Sequence, residues 1–365
     1  MRVVLAPDSF KGTITAADAA AALAEGWASI DPSAEFVHRP MADGGEGTMA
    51  AFAAAVPDAE RMPVVVDGPA GVPVSAHWLL LPPTADAPGG IAVIDLASTS
   101  GIELLDALRP WDADTTGFGQ AIVAALEHGV SRLVLGIGSS ASNDGGTGML
   151  TALGARFLDS SGAAVARGAR GLVDIAAVDL SGLRTAPQVR VLTDVTNPLA
   201  GPRGAAAVFG PQKGLAGDEI GHVDAALLRL AGLLGLDPEL PGAGAAGGTG
   251  GALVAWGATL APGAAEVAEL IGLADAIAEA DVVITGEGSF DGQSGDGKVP
   301  SYIAGLATAS RATALLAAGR IAADSDTALF AASASLTTLA GSSDAALADP
   351  ERWLREAGAL LARSV

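Results

Sequence analysis

Arg132 to Gly146 reads RLVLGIGSSASNDGG, an aliphatic run that gives way to a loop of glycines and small polar residues. A run this short, followed by alanine-rich helical sequence, predicts a strand buried on both faces of a parallel sheet. Three other runs share the form. RVVLAP (2–7) stops at Asp8, VRVLT (189–193) stops at Asp194, and DVVITG (281–286) stops at Glu287. Ligands of open α/β sheets bind beyond the carboxyl ends of the strands, so these acids are candidates for one cleft. Solvated loop tips are the plainer alternative.

Helix signals fill the intervals. Thr15, with Asp18 three residues on, resembles a capping box opening a helix over 16–28, and Thr115 to His128 predicts a helix that stops at Gly129. Two stretches break the alternation. Pro63 to Ile102 carries three apolar runs separated by Gly and Pro turns, which predicts a β-meander on a different sheet, without helix. Pro241 to Gly251, PGAGAAGGTGG, predicts a glycine-rich loop. The fold class is therefore α/β with two domains. A Rossmann-like, discontinuous outer domain takes residues 1–62 and 270–365, and a mixed α/β domain of 63–269 is inserted into it. The chain crossings fall near Pro63 and between Pro262 and Gly272.

Composition narrows the function. The 365 residues carry a formal charge of −21, a field that repels nucleic-acid backbones and anionic lipid, so neither nucleic acid nor membrane is an expected partner. No run of about 18 strongly apolar residues is present, and the apolar stretch before Asp8 is too short for a signal-peptide core. There is no cysteine, hence neither disulfide nor thiolate metal site, and a cytoplasmic location is expected. Only three lysines occur, Lys11, Lys213 and Lys298, each among Gly, Pro or Ser, and only two asparagines, Asn143 and Asn197. Asn-Asp-Gly and Asn-Pro steps are also ordinary turn chemistry.

Glycine motifs need discounting in a chain with 49 glycines. Gly242, Gly244 and Gly247 form a GxGxxG that follows no strand. Gly136, Gly138 and Ala141 do follow one, and their polar continuation fits a backbone nest for phosphate better than a dinucleotide fingerprint. GQSGDGK (292–298) has P-loop spacing, but Val299 stands where a hydroxyl residue would ligate Mg²⁺. What survives is a lysine on a glycine-rich loop beside Glu287, Asp291 and Asp296. MADGGEGT (41–48) sets Asp43 and Glu46 around two glycines before a helix, where acids are favoured by the helix dipole in any case. Together these carboxylates, loop lysines and glycine nests form the set that Mg-dependent phosphoryl transfer needs. The four histidines have no zinc spacing, and no GxSxG elbow is present.

The blocks APDSFKGT, ADGGEGT, GIGSSASNDGGTGML, DVTNPLAGPRGAAAVFGPQKG, PGAGAAGG and ITGEGSFDGQ with GKVP resemble, in order, the signature blocks of the two-domain bacterial glycerate kinase family. They run from Leu5 to about Gly319, and the last 45 or so residues follow the family loosely. The resemblance implies a fold unrelated to P-loop kinases, ATP and Mg²⁺ as cofactors, and D-glycerate as substrate, phosphorylated at the 2-hydroxyl as in most bacterial members. The protein would be a monomer or homodimer. On this resemblance Lys11, Asp194 and Lys298 are expected to be catalytic, and Asp8, Asp43 and Glu287 to hold the metal. Ser9, Gly44, Gly45, Gly138, Ser139, Ser140, Asn143, Asn197 and Lys213 would bind substrate or phosphate. Asp194 is favoured as general base because it follows a strand directly and sits beside Asn197. Residues 292–298 would act as a lid in a cleft between the domains. Three positions depart from the family: Ser289 replaces the usual arginine of GEGR, Ser139 a usual glycine and Ser142 a usual threonine. The first raises the alternative of a two-lobed binding or regulatory protein with impaired turnover. A nicotinamide-dependent dehydrogenase using the GxGxxA turn would leave the lysines and acids idle.

Overall fold

The computed structural model describes residues 1–10, 12–45, 47–291 and 298–365. In chain order the strands are β1 (Arg2–Pro7), β2 (Glu35–His38), β3 (Glu60–Asp67), β4 (Pro73–Leu81), β5 (Ile91–Asp95), β6 (Arg132–Gly136) and β7 (Arg156–Leu158). They continue with β8 (Ala177–Asp179), β9 (Gln188–Leu192), β10 (Thr259–Ala261), β11 (Val282–Phe290), β12 (Thr313–Ile321) and β13 (Ala332–Ser335). By contacts the chain divides into two compact units. Met1–Asp43, Ala50–Pro57 and Pro262–Val365 form the first, Gly44–Met49 and Asp58–Ala261 the second. The chain thus passes between units at 43/44, 49/50, 57/58 and 261/262, where the sequence reading puts two crossings, at 62/63 and 269/270. β3 pairs along its length with β4 and so belongs to the second unit, while Gly263 lies against the backbone of Asp43 in the first.

The first unit is an all-parallel sheet in the order β13-β12-β11-β1-β2. Its inner strands are buried on both faces, as the near-continuous apolar runs of β1 and β11 require. The predicted capping box is present. Thr15 Oγ1 accepts the Asp18 N–H at 3.1 Å and donates to Asp18 Oδ2 at 2.7 Å, opening the helix Ala16–Ala28. β11 runs on past the acid expected to end it, so Glu287 lies within the strand, opposite Ala318 of β12.

In the second unit the order is β10-β9-β6-β5-β4-β3, parallel from β10 to β5 and antiparallel from there to β3, with a separate β7-β8 hairpin. The meander over β3 to β5 forms as the turns suggest, but it shares its sheet with β6 and β9. It also ends in a short helix, Ala97–Ser100, which the expectation of no helix missed. Asp95 Oδ1 accepts the Ser98 N–H at 2.8 Å, so a side chain that reads as the last residue of a strand also stabilises the turn that follows. Thr116–His128 is helical and closes at Gly129, whose φ of 94° is the left-handed conformation glycine adopts without strain. Among the described residues, no helix is long and apolar enough to cross a membrane.

The C-terminal helix Pro350–Ala362 buries Leu354, Ala357 and Leu361 with Leu23 and Trp27 in the core of the first unit. It approaches the helix Ala16–Ala28 so closely that a Cβ at Gly26 would stand 1.9 Å from the Arg355 carbonyl oxygen, and one at Gly358 would stand 2.3 Å from that of Leu23. Backbone cannot yield as a side-chain tip can. Gly26→Ala and Gly358→Ala are each expected to lower the unfolding free energy by about 1–3 kcal/mol, read as a lower denaturant midpoint. An unchanged midpoint would mean that the two helices are free to separate.

Candidate active site

In the first unit the chain goes from β1 outward to β2, and later from β11 outward to β12 and β13, so the strand order reverses between β1 and β11. Such a reversal leaves a crevice beyond the carboxyl ends of the two strands. A cavity of about 490 Å³ opens there. Asp8 and Ser9 enter it from the end of β1, Asp43 from the segment after β2, and Glu287 and Ser289 from β11. The Asp8 N–H continues the ladder by donating to the Gly286 carbonyl at 2.8 Å, and Asp8 Oδ1 accepts the Ser9 N–H at 2.6 Å. Lys298 also lines the cavity, with Nζ 3.9 Å from Asp291 Oδ1, just ahead of the helix Val299–Ser310. Arg320 faces Ser289 across the β11–β12 register and donates to its Oγ at 3.3 Å. Phe10, Leu336, Leu347 and Pro350 supply an apolar wall. The cavity thus joins four carboxylates, which can hold a cation, with two basic side chains that can face anionic oxygens and an apolar side.

A smaller cavity of about 150 Å³ lies in the second unit, beyond the adjacent ends of β6 and β9. Gly138, Ser139 and Ser140 line it, together with Thr193, Val195 and Lys213. The loop is organised by Asp144, which is fully buried. One carboxylate oxygen accepts from Thr115 N (3.0 Å), Thr115 Oγ1 (2.8 Å) and Gly148 N (3.1 Å), and the other from Gly146 N (3.0 Å). Lys213 is 2% exposed and donates to Ser140 Oγ at 2.7 Å and to the Ser142 carbonyl at 2.6 Å. Burial pulls its pKa down to about 7, and the charge of Asp144 opposes that shift.

The remaining expected residues fall as follows. Lys11, Glu46 and residues 292–297 lie outside the described residues. Asp194 is exposed, two residues past the end of β9, and its neighbours Thr193 and Val195 line the small cavity. Asn197 spends its amide on its own loop, donating to the Arg203 carbonyl at 2.8 Å, and Asn143 donates to Pro110 O at 3.1 Å while its buried Oδ1 has no partner. Gly44 and Gly45 line neither cavity. They pack backbone to backbone against the β6 turn, with Gly44 O accepting the Gly138 N–H at 3.4 Å. Among the described residues no three of His, Asp and Glu form a ready-made metal cluster, although Asp8, Asp43 and Glu287 share one cavity. Asp95 went unsingled in the sequence. It is buried at the carboxyl end of β5, beside Gly136, and burial pushes its carboxyl up. Its only signal was an acid at the end of an apolar run, the same one that marked Asp8 and Asp194.

Comparison with known proteins decides the family. The glycerate kinase family model matches residues 3–365, including the C-terminal stretch that carries no signature block. The chain belongs to the glycerate kinase family. It is 40% identical to a glycerate kinase of Bacillus subtilis (89% of this chain, 87% of that one) and 42% identical to a glycerate 2-kinase of Escherichia coli (84% and 82%). A crystal structure of a putative glycerate kinase 2 from Salmonella typhimurium LT2 superposes with a TM-score of 0.86 at 38% identity, over 100% of this chain and 97% of that one.

The family departures now have surroundings. Ser139, at the usual glycine, has φ 57°, a left-handed conformation that costs a non-glycine residue about 1 kcal/mol. Ser142, at the usual threonine, keeps a buried Oγ without a partner. Ser289, at the usual arginine, has the Arg320 guanidinium beside it.

The depressed pKa of Lys213 has a definite sign in stability. Between about pH 7 and the ordinary lysine value near 10.4, the unfolded chain binds a proton there that the folded chain lacks, so this residue's contribution to stability rises with pH through that window. Below pH 7 the lysine is charged in both states, and its burial costs most. Lys213→Met is therefore expected to be more stable than the parent at pH 6, with the difference in denaturant midpoint shrinking toward pH 9. A constant difference would place the lysine in a solvated environment.

Proposed function

We propose that this chain transfers the γ-phosphoryl group of ATP to D-glycerate, giving 2-phosphoglycerate. The observation that carries the reading is the meeting of Asp8, Asp43, Glu287, Asp291, Lys298 and Arg320 in one cavity at the strand-order reversal of the first unit. Phosphoryl transfer asks the protein mainly for positioning and for charge stabilisation of the transferring group. Lys298 and Arg320 would face the phosphate oxygens, and Phe10, Leu336 and Leu347 would cover the nucleoside. The donor set fits Mg²⁺, which takes one or two carboxylates and fills its remaining positions with phosphate oxygens and water, so a closed protein cage is not needed. Asp8, Asp43 and Glu287 would hold the ion, which supplies neutralisation of the phosphate charge. Asp194, next to residues lining the small cavity, would take the proton of the attacking hydroxyl. Lys11 would join the phosphate-binding cations, and Ser9 would donate a hydrogen bond from the end of β1. Monomer or homodimer and a cytoplasmic location belong to the same proposal.

Arg320 also bears on the alternative of a binding protein with impaired turnover. A guanidinium one strand over from Ser289 can supply the charge missing at that position, which favours an active enzyme.

With ATP, Mg²⁺ and D-glycerate, ADP release is expected, with 2-phosphoglycerate identified by ³¹P NMR. Absence of acid-dependent ADP release would overturn the proposal. Glu287→Gln should lower kcat by about 10²–10³, as loss of a charge stabiliser at the transferring group does. Arg320→Ala should lower kcat/KM by one to two decades, matching the roughly 1.5–3 kcal/mol of a charge-assisted hydrogen bond. Ser289→Arg should leave kcat/KM within about threefold, since the position's charge is already supplied. A large gain would show that Arg320 does not fill the role.

A further inference from the structure

Lys213 presents an unsolved charge. Among the described residues it is the only charged side chain lining the 150 Å³ cavity. Both of its hydrogen-bond partners among the described residues, Ser140 Oγ and the Ser142 carbonyl, are neutral, which leaves one of three ammonium N–H groups to be satisfied. No carboxylate among the described residues pairs with it. Asp144, the acid whose field reaches it, has both oxygens committed to Thr115, Gly146 and Gly148. An unpaired ammonium in such a place is costly, and folding alone gives no return for it; a methionine would pack the same volume without the penalty. The surrounding backbone is strained as well. Ser139 and Ala246, both bordering the cavity, are two of the three non-glycine residues with left-handed φ among the described residues. Strain of this kind clusters where a ligand is held.

We infer that this cavity receives the carboxylate of the acceptor acid, with the Lys213 ammonium as its counter-charge and the Ser139 and Ser140 hydroxyls as further donors. The identity of the acid as glycerate rests on the proposed kinase reaction; the site itself rests on the geometry. Charge favours the acid over nucleotide phosphate. One lysine balances one carboxylate, whereas a triphosphate would bring several negative charges to a cavity with a single cation. The volume, about 150 Å³, gives room for a three-carbon acid. Val195, Phe209 and Ala245 give the carbon chain an apolar wall, and Thr193 and Gln212 offer polar groups for its hydroxyls. The site would thus select for a carboxylate. Glycerol, which presents the same hydroxyls without the charge, would be refused.

The test is calorimetric titration of the full chain, without nucleotide, using D-glycerate and glycerol as probes. D-glycerate is expected to bind and glycerol not to; equal binding of the two would overturn the inference. Lys213→Met should raise the Kd and KM for D-glycerate about 100-fold or more while leaving the Kd for ATP within about threefold, because it removes the ligand's only counter-ion. A loss of ATP affinity with glycerate binding intact would instead assign the lysine to the nucleotide and sink the proposal. Asp144 is the charged group acting on Lys213, and among the described residues no ionisable side chain besides Lys213 lines the cavity. Binding at pH 8 should therefore take up a proton, seen as a dependence of the heat on the buffer's ionisation enthalpy; heats independent of buffer count against it. Ser140→Ala, expected to weaken D-glycerate binding about tenfold, keeps the question open to measurement if Lys213→Met does not fold. The two readings can fail separately. Lys213-dependent binding of D-glycerate without phosphoryl transfer would retain the site and remove the kinase reading, and transfer with an unchanged glycerate KM in Lys213→Met would do the reverse.

Discussion

Asp144 is a carboxylate with no solvent, and the loop between β6 and the helix Thr147–Ala152 is built to satisfy it. Four hydrogen bonds from Thr115, Gly146 and Gly148 hold its charge in place, and in doing so fix the path of residues 139–148. That path puts the Ser142 carbonyl and the Ser140 hydroxyl where the Lys213 ammonium can reach them. The same acid does not neutralise the lysine, because its oxygens are spent. The second unit therefore carries a buried anion that is fully served and a buried cation that is not, and this imbalance gives the small cavity its chemistry.

The first unit solves a different problem. Parallel strands end with their polar groups and their following loops on one edge, and the reversal of strand order between β1 and β11 separates those loops. Acids from three segments and cations from two occupy the gap. In a chain with formal charge −21, an anionic ligand needs local positive charge to be admitted. Two of the three lysines line the two cavities described here, and the single arginine lining either cavity lies beside the serine that departs from the family pattern.

Glycine use ties the two levels together. Gly26 and Gly358 allow two helices of the first unit to touch backbone to backbone, a contact that the sequence records only as two small residues more than 300 positions apart. Nothing local distinguishes them from the glycines in turns. Their meaning appears only when the partner backbone is in place.

Local pattern was enough for the buried strands β1, β6 and β9, the capping box at Thr15, the helix stopped by Gly129 and the α/β class, because each depends on hydrophobic period, a cap or a turn within a few residues. The ordered blocks from Leu5 to Gly319 likewise identified the family, and the model match carries it to residue 365. Tertiary structure was needed for the rest. Which strands share a sheet, that Glu287 lies inside β11, and that Arg320 stands beside Ser289 follow from pairing between segments far apart in sequence. The burial of Lys213 is the plainest case. Its neighbours in the sequence, Gln212 and Gly214, carry no sign of burial, and its depressed pKa comes from chain packed over it from elsewhere. Sequence determined what each segment prefers to be. Only folding decided which charges lose their water, because desolvation depends on everything that surrounds a group and not on the residues beside it in the chain.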